Sequence, residues 1–214
     1  MNSIWSKTSE PVGFEPLKES KSADVLIIGG GLTGLLCAYM LKNAGVDCIL
    51  AEAGRICSGI TRNTTAKITF AHGLLYDKLI KRFGQEPARL YLEAQLRAAE
   101  HYVCLCKEIP CDYESKDSYV YSLNDRKKIE REIEALNRLG VPAEFSETPL
   151  LPIRTAGAVC VRNQAQFHPL KFAFALAKEL PVYENTKVQE LLPGKAITQY
   201  GEIAFRKADR KSVV

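Results

Sequence analysis

No stretch of the 214-residue chain approaches the roughly 18 consecutive apolar residues that a membrane-spanning helix needs. The opening segment MNSIWSKTSEPVGFEPLKES also lacks the apolar core of a secretory leader, so a cytoplasmic location is expected. Neither sign of charge is in large excess: 29 Lys and Arg against 25 Asp and Glu leave a net charge of +4. These residues are interleaved rather than gathered into a basic stripe, which argues against a nucleic-acid partner. There is no internal repeat and no low-complexity tract. With only three histidines, no Ser/His/Asp or Cys/His constellation can be assembled from spacing. The seven cysteines form no C-x-x-C pair, so disulfide-reductase chemistry has no redox pair to use. Their odd number, and the placing of Cys37 and Cys48 in a predicted helix and strand, fit reduced thiols. Cys104, Cys106 and Cys111 with His101 invite a zinc reading. Metal sites favour C-x-x-C spacing, however, and Cys104 and Cys106 would lie on different sides of a helix, so core or surface thiols are the preferred role.

What the chain has in plenty is apolar residues, 46% of the total, enough for a substantial core. They are most ordered in residues 24–52, DVLIIGGGLTGLLCAYMLKNAGVDCILAE. Residues 25–28 are apolar throughout, as suits a parallel strand buried on both faces. Gly29, Gly31 and Gly34 then fill the G-x-G-x-x-G positions. Gly29 allows the tight turn, Gly31 lets a pyrophosphate approach the backbone, and Gly34 lets the helix pack closely on the sheet. The spacing predicts a helix over 32–43, stopped by Gly45, with the N–H groups and positive dipole end of its first turn, from Leu32 and Thr33 onward, aimed at phosphate. A second strand over 46–51 ends at Glu52, whose carboxylate can accept hydrogen bonds from ribose hydroxyls. Glutamate in place of arginine disfavours a 2′-phosphate and hence NADP. FAD and NAD both remain open on this motif alone.

The remainder reads as an α/β chain. Residues 1–22 form an irregular arm. Residues 53–69 are a loop rich in Gly, Ser and Thr. Residues 75–109 carry apolar residues at three- and four-residue spacing, predicting one or two amphipathic helices broken at Gly84 or Pro87. Residues 111–122 read as a strand pair or ribbon. Asn124 or Asp125 caps a charged helix that runs to Leu139 and stops at Gly140, its charge run a solvated face with i,i+4 pairs. Strand and loop are expected over 141–156, a short strand over 158–161, and a helix from Pro169 to about Leu180 with His168 as cap or packing residue. Strands over 182–191 and 196–205 flank a turn at Pro193 and Gly194.

Taken together, GGGLTG with Glu52, SGITRNTTAKIT followed by AHGLLYDKL, then NQAQFHPLKF and NTKVQEL resemble the D-amino-acid oxidase and glycine oxidase superfamily of FAD-dependent oxidoreductases. Within it, the chain looks most like bacterial members that carry a C-terminal Rieske [2Fe–2S] domain. The resemblance implies a Rossmann-like FAD-binding domain in three layers with a mostly parallel sheet. It also implies the beginning of an inserted antiparallel-sheet substrate domain. The expected boundaries are 1–22 for the arm, 23–110 and 157–214 for the FAD-binding domain, and 111–156 for the substrate domain.

It further implies non-covalent FAD held by Gly29, Gly31, Leu32, Thr33, Gly34, Glu52 and Ala53. Ser58, Gly59 and Thr61 would pass the pyrophosphate, and the backbone of Val188 would meet the adenine. Small side chains and free N–H groups in such a loop suit anion contact, although an ordinary polar loop has the same composition. Lys67 would approach the flavin ring, where a cation tunes the reduced cofactor; a solvated surface lysine is the alternative. Lys67 and His72 are the candidates for a catalytic role. The implied reaction oxidises a small amine, amino acid or hydroxy compound by hydride transfer to flavin N5. Relatives of this kind are longer, so the chain is expected to be an N-terminal portion. It has no C-x-H pair for a [2Fe–2S] cluster, and association with the remaining portion or with itself is expected. A non-catalytic dinucleotide-binding module and an inactive truncated remnant stay open as alternatives.

Overall fold

In the computed structural model, which describes residues 3–147 and 152–210, a short helix α1 (Ile4–Lys7) precedes strand β1 (Lys21–Ile28). Helix α2 (Leu32–Asn43) crosses to β2 (Cys48–Ala51), with the bounds that the glycine pattern predicts for the helix. Gly45, at φ +73°, leaves the helix in a left-handed conformation that glycine adopts without strain. Gly45 N–H donates to Lys42 O at 2.9 Å and Val46 N–H to Leu41 O at 3.0 Å, closing the last turn. Val46 is spent on that closure, so β2 starts two residues later than expected.

Strands β7 (Val182–Tyr183), β2, β1 and β10 (Gly201–Arg210) run parallel. The hairpin of β8 (Val188–Leu192) and β9 (Lys195–Thr198) adds antiparallel strands, giving the order β7-β2-β1-β10-β9-β8. Side-chain alternation divides the core between the two faces. Ile27 and Leu50 pack with Leu35 and Ala38 of α2 and with Ala173 and Ala177 of α6 (Pro169–Ala177). Leu26, Ile49 and Ala51, out of phase by one, join Leu17, Ala196 and Ile203 on the other face. Each fully buried leucine or isoleucine here contributes about 2 kcal/mol. The strands expected over 182–191 and 196–205 are each divided. Thr186 N–H donates to Glu52 O and not along a continuous strand, and Tyr200 N–H turns onto Thr198 Oγ1 before β10 begins. The turn at Pro193 and Gly194 lies where it is expected, between β8 and β9.

The chain divides into two compact units, one of residues 1–65 with 168–214 and one of residues 66–167. These units divide at 65/66 and 167/168, where the expected domain boundaries are 110 and 157. The cause is the partner of the amphipathic helices. Helices α3 (Tyr76–Phe83) and α4 (Gln85–Glu108), broken at Gly84 (φ +89°), bury their apolar faces within the second unit. Tyr76, Ala88 and Leu92 pack with Ile129 and Leu136 of α5 (Arg126–Arg138) and with Val159 and Val161 of β6 (Gly157–Gln166).

Strand β6 is the centre of a second, antiparallel sheet. Strand β4 (Glu114–Ser122) lines one edge of it, while β3 (Lys67–Ile68) and β5 (Glu144–Ser146) share the other. The ribbon expected within 111–122 is thus a single strand paired with β6. β6 also continues beyond the expected 158–161 through polar residues, turning at Asn163 (φ +57°), whose N–H donates to Asp117 Oδ1 at 3.2 Å. Phe167 N–H donates to Ala66 O at 3.3 Å, so the two ends of this unit meet. Asp125 is the cap of α5, its carboxylate accepting from Lys128 N–H at 2.9 Å. Residues 148–151 of the expected loop, Met1 and Asn2 of the arm and residues 211–214 lie outside the described residues. Among the described residues no helix is long and apolar enough to cross a membrane.

Candidate dinucleotide site

Three glycines of the β1–α2 turn meet three different physical demands. Gly29 N–H continues the sheet by donating to Ala51 O at 2.9 Å, and its φ of +113° turns the chain sharply. A Cβ on Gly34 would stand 2.0 Å from Gly29 O, so helix and strand approach at a distance only glycine permits. A Cβ on Gly31 would meet only Thr61 Oγ1, at an ordinary 3.5 Å. Nothing in the chain itself therefore requires glycine at position 31. The open side of Gly31 lines a cavity of ≈ 440 Å³.

That cavity is walled by Gly29, Gly31 and the first turn of α2, together with Glu52, Ser58, Gly59 and Thr61. The structure thus brings together most of the residues that the sequence assigns to the phosphates and ribose. Glu52 follows β2 and is fixed through its backbone: its N–H donates to Tyr183 O at 2.9 Å, and its carbonyl accepts from Thr186 N–H at 2.8 Å. Its carboxylate accepts from Gly30 N–H at 2.7 Å and from Gly54 N–H at 2.8 Å. A carboxylate has about four acceptor positions. These two bonds orient Glu52 and leave capacity for hydroxyl donors. Gly31, the N-cap of α2, has no side chain with which to cap the helix, and Thr61 Oγ1 accepts from Leu32 N–H at 3.2 Å in its place. A carboxylate with spare acceptors, a helix N-terminus and a glycine facing open space fit an adenine dinucleotide.

Ala53 is exposed, and Val188 begins β8 and packs near Leu17 and Ile203. Neither is among the described residues lining the cavity. Lys67 and His72 belong to the second unit. Lys67 is exposed on β3 beside Lys116, Tyr119, Tyr121, Gln164 and Gln166, around a separate cavity of ≈ 270 Å³. His72 is exposed, with Nε2 3.3 Å from Gln95 Oε1. His168 caps α6, its Nδ1 accepting from Lys171 N–H at 3.2 Å.

Sequence reasoning missed Gly30, Arg55, Cys57 and Glu184. A Cβ on Gly30 would meet Ile56 Cγ2 at 2.7 Å and Glu52 Cβ at 3.0 Å, so the residue between the motif glycines is also constrained. Cys57, at φ +56°, donates its N–H to Gly30 O at 2.9 Å and clamps the turn from the loop side. Burial pushes its thiol up to about 12; a hydrogen bond with Thr61 opposes this, and the nearby charges of Glu52 and Glu184 add to it. Burial likewise holds Cys106, hydrogen-bonded to Cys111, at about 12. Both thiols therefore stay protonated at neutral pH and react slowly. Exposed Cys104 is expected to take up a thiol reagent at pH 8 in the folded protein, whereas Cys57, Cys106 and Cys111 react only after unfolding. Mass mapping of a timed labelling reaction checks this, and rapid modification of Cys57 would contradict its burial. Among the described residues no group of three or more His, Cys, Asp or Glu could hold a metal ion.

The family model described as "FAD dependent oxidoreductase" (DAO) matches residues 24–214. YhfW of Bacillus subtilis, named for a Rieske 2Fe-2S iron–sulfur protein, is 35% identical over 89% of the chain and 39% of its own length. Gamma-glutamylputrescine oxidoreductase of Escherichia coli is 27% identical over 90% of the chain and 49% of its own length. The chain thus spans half or less of the length of these curated relatives. Among solved structures, L-proline dehydrogenase from P. horikoshii superposes with a TM-score of 0.72 at 20% identity, covering 90% of this chain and 53% of that one. Glycine oxidase from Bacillus cereus gives 0.65 at 20% identity, covering 88% and 54%. These two likenesses bear on the fold alone.

Proposed function

The chain belongs to the FAD-dependent oxidoreductase family DAO, and from that premise we propose that it binds FAD non-covalently across the β1–α2 turn. We propose further that it serves the oxidation of a small amine, amino acid or hydroxy compound. The single observation that carries this reading is the wall shared by Gly31 and Glu52 around one cavity. Bound flavin would supply the redox chemistry, accepting a hydride at N5.

The chain's own residues bind and orient. The backbone at Gly31 and the N-terminus of α2 receive the diphosphate, where the helix dipole favours negative charge. Glu52 receives the ribose hydroxyls with the acceptor capacity left by Gly30 and Gly54. Ser58, Gly59 and Thr61 close the loop side. The name of the Escherichia coli relative, gamma-glutamylputrescine oxidoreductase, supports a substrate bearing an amino nitrogen. An iron–sulfur centre is one proposed class of electron acceptor, since YhfW is named for one.

Titrating the purified protein with FAD tests the reading. Quenching of flavin fluorescence and retention of the visible flavin bands after desalting are expected. NAD should compete poorly. Glu52→Gln should weaken FAD at least about tenfold, since it removes the charge that would accept from the ribose and turns an amide NH2 on the N–H of Gly30 or Gly54. Tight NAD binding without flavin uptake would overturn the assignment.

A further inference from the structure

Residues 3–17 do more than lie along the first unit. Two of the residues lining the dinucleotide cavity, Arg55 and Thr64, are bound directly to this segment. Trp5 Nε1 donates to Thr64 O at 2.8 Å, and its ring meets His168 edge-on with centroids 5.1 Å apart. At the other end of the loop, Arg55 donates through one terminal nitrogen to Val12 O at 2.6 Å. Its Nε lies 2.9 Å from Glu184 Oε2.

Glu184 is 1% exposed and joins three pieces of chain. It accepts from Phe14 N–H at 3.1 Å and from Ile56 N–H at 2.8 Å, besides pairing with Arg55. Leu17 N–H continues the same seam, donating to Thr186 Oγ1 at 2.9 Å. The loop that receives the diphosphate is therefore held at its beginning and at its end by one short stretch of chain. Loops free of such ties sample many conformations, and ordering one on binding weakens affinity.

We propose that this N-terminal segment is a strap that pre-orders the 55–64 loop for the dinucleotide, with Trp5 and Glu184 as positioning residues. The proposal rests on the reading of this cavity as the FAD site. Trp5 and Glu184 act through Thr64 and Arg55, and neither is among the described residues lining the cavity. The segment supplies order in advance, so its effect falls on affinity and on loop exposure more than on global stability.

Trp5→Phe removes the N–H donor and keeps a smaller ring against His168, giving up part of the indole's packing against the first unit's core; the thermal midpoint reports that packing loss separately from the tie. Two readouts are compared with the parent protein: affinity for FAD and for ADP, and the rate of trypsin cleavage after exposed Arg62, followed by mass in the absence of nucleotide. Both affinities should fall by the same factor, about fivefold for one lost hydrogen bond, and cleavage should accelerate by a similar factor. The thermal midpoint should move little. A parent that takes up no flavin overturns the FAD reading and the cofactor half of this proposal, while cleavage still decides the strap. Unchanged cleavage after Arg62, or parent-like FAD and ADP affinity beside a lowered thermal midpoint, overturns the proposal.

Discussion

Replacing Gly34 by alanine is expected to remove about 3 kcal/mol of stability through overpacking, the upper end of the usual range. The added Cβ would stand 2.0 Å from Gly29 O and 3.4 Å from Ile27 Cγ2, and neither neighbour is the free end of a flexible side chain. Relief requires α2 to move off the sheet, opening the layer of Ile27, Leu35 and Leu50. Intrinsic helix propensity favours alanine by about 1 kcal/mol, so the observed loss understates the clash. Gly31→Ala is the contrast. Its Cβ meets only Thr61 Oγ1 at 3.5 Å, and stability should stay within about 0.5 kcal/mol of the parent. FAD affinity should nevertheless drop about tenfold or more, because the new methyl occupies the open wall of the cavity. Urea unfolding separates the two variants, and flavin titration reads the second. A Gly34→Ala protein as stable as the parent would show that helix and strand are not this close.

Glu132→Ala should cost about 3 kcal/mol, the sum expected when three N–H groups lose one charged acceptor. Glu132 is 2% exposed although it sits in a strongly charged helix. Its Oε1 accepts from Leu75 and Tyr76 N–H, both at 2.8 Å, and its Oε2 accepts from Asp77 N–H at 3.0 Å. These are donors at the start of α3, which its own N-cap Leu75 cannot satisfy with a side chain. One carboxylate from α5 therefore caps another helix and contributes to the core of the second unit. Glu132→Gln keeps one carbonyl oxygen for Leu75 and Tyr76 but turns an amide NH2 on Asp77 N–H, and should cost about 2 kcal/mol. Amide exchange at Leu75, Tyr76 and Asp77 should accelerate in the alanine variant ahead of exchange in the rest of the unit. Equal stability of the parent and the alanine variant would remove the capping role.

The glycine turn was legible in the sequence because its constraints are local. Backbone conformation at Gly29 and steric approach at Gly34 act within six residues, and so does the closure of α2 at Gly45. Asp125 and His168 were readable for the same reason, since a cap bonds to an N–H three residues on. Glu132 was not. Helical periodicity, with Arg126 and Glu130 paired at 2.9 Å on the outside, marks a charged face. It carries no sign that residue 132 meets the end of a helix more than fifty positions earlier.

Glu184 and Thr186 are hidden in the same way: they read as part of a continuous strand over 182–191 until their partners at Phe14, Ile56 and Leu17 are known. The compact units were not legible for a related reason. Amphipathic spacing over 75–109 shows that a face is buried but does not name the surface that buries it. In the candidate site, the motif glycines and Glu52 could be read from spacing. Arg55 and Cys57 could not, because their roles depend on what crosses above them.

The hydrogen bond from Phe167 to Ala66 has a consequence for how the chain tolerates change. Entry and exit of the intervening hundred or so residues are neighbours, so that block behaves as a cassette on a shared doorway. A residue added within that block need not shift the register of the parallel strands on either side.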